Sequence, residues 1–122
     1  MNESHDPKID TFLAGKSAYT LELFHHFITE FEVLGKIRLE ATKTMIAVDN
    51  GQKRIAWITQ LGKNFIHVVF PLKEPYYDNW CFQKVAQVPG SNQFNHHFRM
   101  LVKEDLNDEV KNYMKLSLAC NK

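Results

Sequence analysis

Thr44-Met-Ile-Ala-Val-Asp-Asn-Gly-Gln-Lys-Arg-Ile-Ala-Trp-Ile-Thr59, continued by Gln60-Leu-Gly-Lys-Asn-Phe-Ile-His-Val-Val-Phe70, is the stretch whose reading decides the fold. Asn50-Gly51 sits between two apolar runs and tolerates the positive φ values of a tight hairpin turn. Gly62-Lys63 is a second turn of the same kind. Two-residue loops at both places set a register. They pair Thr44 with Trp57, Ile46 with Ile55 and Val48 with Lys53, then Thr59 with Ile66, Trp57 with Val68 and Ile55 with Phe70. Directly opposed residues share a face, and side chains alternate between faces. One face then carries Ile46, Val48, Ile55, Trp57, Ile66, Val68 and Phe70, a β-branched and aromatic set expected in the core. The other carries Lys43, Met45, Ala47, Arg54, Ala56, Ile58, Gln60, Phe65, His67 and Val69. On that face Lys43, Ile58 and His67 form a row. Its ends lie roughly 10 Å apart at the backbone, two strand spacings. Ala47 and Ala56 leave room there for a ligand.

Working outward, Ser17 is placed to cap a helix from Ala18 to about Leu34, with Gly35 after its end. Leu21, Phe24, Phe27, Ile28, Phe31 and Leu34 follow helical spacing and should lie on the sheet. Residues 1–14 read as a loose tail with one short helical turn from Ile9. His25 and His26 point about 100° apart on the helix and do not chelate together. Ile37 to Ala41 reads as the first strand. Lys73 to Trp80, with Pro75 and two tyrosines, reads as a long loop. Phe82 to Val88 is a short strand or a turn of helix, and Pro89-Gly90-Ser91-Asn92 is a turn. Gln93 to Leu101 alternates, so His96 and His97 face opposite ways. Which of them meets the core stays open. Asp105 to Ala119 reads as an amphipathic helix capped by Asp105 or Asn107. The expectation is one α+β domain over residues 15–122. Its sheet has five to six mainly antiparallel strands in a meander, packed by an N-terminal and a C-terminal helix.

A chain of 122 residues suffices for one domain with a real core. No apolar run approaches the roughly 20 residues of a membrane helix. Met1 to Pro7 is polar and does not read as a secretory leader, so a cytoplasmic protein is expected. Cys81 and Cys120 lack metal or redox spacing and read as two reduced thiols. The net charge is only +1, but Lys36 to Lys103 holds ten Lys and Arg against four Asp and Glu. The sheet region is therefore basic and its flanks acidic.

The residues Glu40-Ala-Thr-Lys-Thr-Met-Ile-Ala47, His96-His-Phe-Arg99 and Glu104-Asp-Leu-Asn-Asp-Glu-Val110 resemble a known family. It is the bacterial domain-of-unknown-function family 5655, and the likeness runs from about Gly15 to Ala119. The resemblance implies a compact bacterial α+β domain with no particular activity. It directs attention to Lys43, Thr44, His96 and Arg99. Many relatives place Ser-Pro before the last helix, where Val102-Lys103 stands here.

Enzyme chemistry finds little support in the spacing. A metal-dependent nuclease wants Glu-x-Lys on one strand; Glu40 and Lys43 are three apart and face opposite sides. A cysteine nucleophile at Cys81 needs an adjacent histidine, and no sequence neighbour supplies one. Zinc-ligand spacing is missing, and no cofactor is expected. The favoured reading is a non-catalytic module binding an anionic small molecule or peptide through Lys43, Arg54, His67, His96, His97 and Arg99. The alternatives are nucleic-acid binding on the basic sheet and a structural domain that forms a homodimer.

Overall fold

The computed structural model describes residues 8–119. It is an α+β fold built on a six-stranded antiparallel sheet in the order β1-β2-β3-β4-β6-β5. The strands are β1 (Arg38–Ala41), β2 (Ile46–Asp49), β3 (Arg54–Gly62), β4 (Phe65–Leu72), β5 (Lys84–Gln87) and β6 (Phe94–Met100). The helices are α1 (Ile9–Leu13), α2 (Ala18–Leu34) and α3 (Asp108–Ala119). The meander holds through β4. The chain then crosses in the long loop to the far edge, and β6 returns between β4 and β5.

Helix α2 begins where expected. The Ser17 hydroxyl accepts from the Thr20 N–H at 3.0 Å, and Gly35 follows its last residue. Its buried stripe is Thr20, Leu23, Phe24, Phe27, Ile28 and Phe31. Phe27 and Phe31 each lie 6.5 Å from the ring of Phe70 on β4. Thr20 ties this helix to the β3–β4 turn by donating to the Gly62 carbonyl at 2.7 Å and accepting from the Asn64 N–H at 2.8 Å. The short helical turn read from Ile9 is α1, and Ile9, read as part of a loose tail, is fully buried in the core. Before α3, Asn107 rather than Asp105 is the cap: its side chain accepts from the Val110 N–H. Asp105 instead holds the N–H groups of Leu101 and Val102. Cys120 lies outside the described residues.

The expected register of β2, β3 and β4 is wrong, and both turns explain why. The first hairpin does not close on Asn50-Gly51. The Asn50 N–H instead donates to the Lys53 carbonyl across a four-residue loop. The Asn50 side chain accepts from the N–H groups of Gln52 and Lys53, and Asp49 accepts from Gly51. Asx side chains thus built a wider turn than the Asn-Gly pair suggested. The second loop is Lys63-Asn64, one residue later than expected, with Asn64 at φ 64° and Gly62 paired with Phe65. Irregularities between Val48 and Asp49 and between Ile58 and Gln60 shift the ladders again.

The observed pairs are Ile46–Ile58, Ala47–Trp57 and Val48–Ala56, then Ile58–Val68 and Trp57–Val69. Ala56 and Ile58 therefore face the core, and Trp57 faces out. Ile46, Val48, Ile66, Val68 and Phe70 face the core as expected. The buried apolar residues of all three helices join that same cluster. The helical layer thus lies on one face of the sheet.

Gly62 carries a specific constraint. A β-carbon there would lie 2.2 Å from the ring of Phe65, its cross-strand partner. Gly62→Ala should therefore displace that ring and destabilise the protein by about 1–3 kcal/mol. An unchanged urea midpoint would contradict this.

Candidate functional site: the outer face of the sheet

The face turned away from the helices is built by strict alternation on β4 and β6. His67 pairs with Arg99 and Val69 with His97; Lys84 of β5 lies opposite His97. Adding β3, two neighbouring rows result. One is Gln60, His67, Arg99, and the other is Trp57, Val69, His97, Lys84. Ala47 extends the second row toward β1. Val69 and Ala47 are buried beneath their larger neighbours and form the floor.

His67 and His97 are diagonal neighbours on this face. His67 Nε2 and His97 Nδ1 stand 3.0 Å apart, with ring centroids at 5.2 Å. One nitrogen must carry the proton and the other the lone pair. Both rings are held below the ordinary histidine pKa. For His67 the causes are burial first, then the charges of His97 and Arg99; for His97, burial, then Lys84 and His96. Positive neighbours disfavour a second positive charge, so the pair is neutral at pH 7.

Arg99 lies over the ring of Phe65, its guanidinium carbon 4.4 Å from the centroid. Its Nε and the Nδ1 of His67 are buried without a hydrogen-bond partner. Each such group costs about 1–3 kcal/mol. Arg54 reaches Glu40 at 2.9 Å and lies 5.2 Å over the Trp57 ring. Both members of that ion pair are well exposed, so it adds little stability.

Of the expected site residues, the structure brings His67, His97, Arg99 and Arg54 onto this face. Lys43 is not among them. It sits at the exposed tip of the β1–β2 turn, where Thr42 and Met45 hydrogen-bond to each other. The expected row of Lys43, Ile58 and His67 does not exist, because Ile58 faces the core. Ala56 likewise makes no room on this surface.

His96 is a core residue, fully buried. Its Nδ1 donates to the carbonyl of Phe94 at 2.9 Å, with Phe70 O at 3.3 Å, and its Nε2 accepts from the Tyr76 N–H at 3.1 Å. It pins the long loop to the sheet beside Phe82 and Tyr76.

Trp57 and Lys84 are the functional candidates that sequence reading left out. The Asx residues of the two turns, Asp49 and Asn50 before Gly51 and Asn64 after Lys63, were the signal that would have turned Trp57 outward. Cys81 has Glu109 rather than a histidine as its charged neighbour. Burial first, then Glu109, pushes its thiol up to about 12. That keeps it protonated and a poor nucleophile at neutral pH.

Among the described residues, no three of His, Cys, Asp and Glu come together to hold a metal ion. Nor is any described helix long and apolar enough to cross a membrane. The resemblance drawn from Glu40–Ala47, His96–Arg99 and Glu104–Val110 rests on those residues alone. No family model, curated protein or solved structure matches this chain.

Proposed function

We propose that this protein is a non-catalytic module that binds an anionic small molecule bearing a flat ring on the uncovered face of its sheet. The observation that carries the reading is one sheet face that holds the outward ring of Trp57, with Arg54 5.2 Å from its centroid, and, on the neighbouring strands of that face, His67, His97, Arg99 and Lys84. Guanidinium and ammonium groups attract the anion. Trp57 offers a stacking surface. The carboxylates on the face, Glu40 and Asp49, lie toward β1, where Glu40 is taken up by Arg54. Each histidine hydrogen-bonds to the other rather than to a nucleophile or a carboxylate, which favours binding over acid–base chemistry.

The outward turn of Trp57 and Phe65 also favours a second reading, single-stranded nucleic acid, whose bases stack on aromatic side chains. Ionic strength separates the two. A protein that tracks a phosphate backbone loses affinity steeply as salt rises, in proportion to the phosphates neutralised.

The test uses tryptophan fluorescence. The chain has two tryptophans, and Trp80 is 96% exposed, so Trp80→Phe leaves Trp57 as sole reporter at little structural cost. Nucleotides and ring-bearing acids titrated into this variant should quench Trp57. Arg99→Ala should weaken that binding about 5- to 30-fold, the equivalent of about 1–2 kcal/mol. The reading is lost if no compound in the panel quenches Trp57 or raises the melting temperature.

A further inference from the structure

The second basic surface of the molecule lies elsewhere, where α1 and the start of α2 meet the β1–β2 and β3–β4 turns. Three clefts share walls there. The first, of about 400 Å³, is bounded by Lys8, Thr11, Phe12, Thr42 and Lys43. Phe12 is also a wall of the second, of about 320 Å³, with Lys16, Thr44 and Gln60. Lys16 and Leu61 are in turn walls of the third, also of about 400 Å³, with Gly15, Gly62 and Lys63. The clefts thus adjoin one another as a groove, with Lys43 on the first, Lys16 on the second and third, and Lys63 on the third.

Among the described residues, no carboxylate lines any of the three clefts. Lys16, Lys43 and Lys63 are all exposed, so their ammonium groups are hydrated and mobile. Such groups act as point charges with three donors each and suit phosphate oxygens without a fixed approach angle. Thr11 and Thr44 add hydroxyl donors along the walls. A single phosphate meets the lysines of one cleft only. A chain of anionic groups fits the row.

We propose that this groove binds an oligophosphate, a small molecule with two or more phosphoryl groups linked in line. The groove meets the sheet face described above at Gln60, but its lysines are not among the cations of that face. It also gives Lys43 a role that the sheet does not.

The experiment is calorimetric titration of the full chain with tripolyphosphate at low and moderate salt. The variants are Lys16→Ala, Lys43→Ala, Lys63→Ala, the triple variant, and Arg99→Ala as a control on the other face. Each lysine variant should weaken binding about 2- to 5-fold, as removal of one partly solvated charge contact does. The triple variant should lose binding, and Arg99→Ala should bind like wild type. Equal melting temperatures establish that the exposed substitutions leave the fold intact. The proposal is overturned if the triple variant binds tripolyphosphate as tightly as wild type, or if wild type does not bind it. It is equally overturned if a single-stranded oligonucleotide binds in a lysine-dependent way while tripolyphosphate does not.

Discussion

Phe70→Ala is expected to destabilise the protein by about 3–5 kcal/mol, the cost of emptying a large aromatic site in a packed core. Phe70 is fully buried on β4, at the centre of the sheet. Its ring meets Phe27 and Phe31 of α2 at 6.5 Å and Phe82 of the long loop at 6.1 Å. The substitution therefore removes contacts to helix and loop together. Small single domains hold only about 5–15 kcal/mol in all, so the variant should unfold at a much lower urea concentration. Phe70→Leu refills most of the volume and should recover more than half of the loss. A loss below 1 kcal/mol for the alanine variant would mean that this ring does not join the two layers.

His96→Leu should produce the second large effect, and it should depend on pH. At neutral pH the imidazole donates to the Phe94 carbonyl and accepts from the Tyr76 N–H. Leucine leaves that N–H without its acceptor, at about 1–3 kcal/mol. The pH dependence follows from the direction of the pKa shift. Burial lowers the His96 pKa below 6.5, and the two backbone carbonyls only partly oppose it. The unfolded chain therefore takes up this proton at a higher pH than the folded one. The stability involved is fully present above pH 6.5 and is lost as the pH falls through the lowered folded value.

His67 and His97 are shifted the same way, so the wild type should weaken steadily from pH 7.5 to pH 5. His96→Leu should be less stable at pH 7.5 and should show a shallower decline. Urea unfolding at both pH values checks this; equal slopes would show that His96 does not contribute.

The ends of helix α2 and the inward turn of its phenylalanines were legible in the sequence, because the hydroxyl at Ser17, the apolar spacing and Gly35 all act within the helix itself; of its leucines, Leu23 rather than the expected Leu21 is buried. The alternation of β4 and β6 was legible for the same reason. Period 2 is a local property, and it placed Ile66, Val68 and Phe70 inward and His67 outward. The opposition of His96 and His97 also followed from it. Which of the two is buried did not, since that depends on β4 and the long loop.

Strand β3 failed because its phase is set at both ends by turns. Asn50-Gly51 was read by its backbone preference, whereas the Asp49 and Asn50 side chains took over the hydrogen bonding and lengthened the loop. Asn64, not Gly62, adopted the left-handed conformation of the second turn. A slip of one residue exchanges the faces, so Trp57 left the core for the surface and Ile58 took its place.

Lys43 shows the same lesson in a single residue. Counted as part of a strand, it stood in one row with His67, across Ile58; placed in a turn, it lines a cleft beside α1. Local chemistry along the chain determined the helices, the strands and the antiparallel α+β class of this protein. Only tertiary structure decided which cations share a surface, because that depends on the register between strands, and register is settled by loop hydrogen bonds and by the packing of distant side chains.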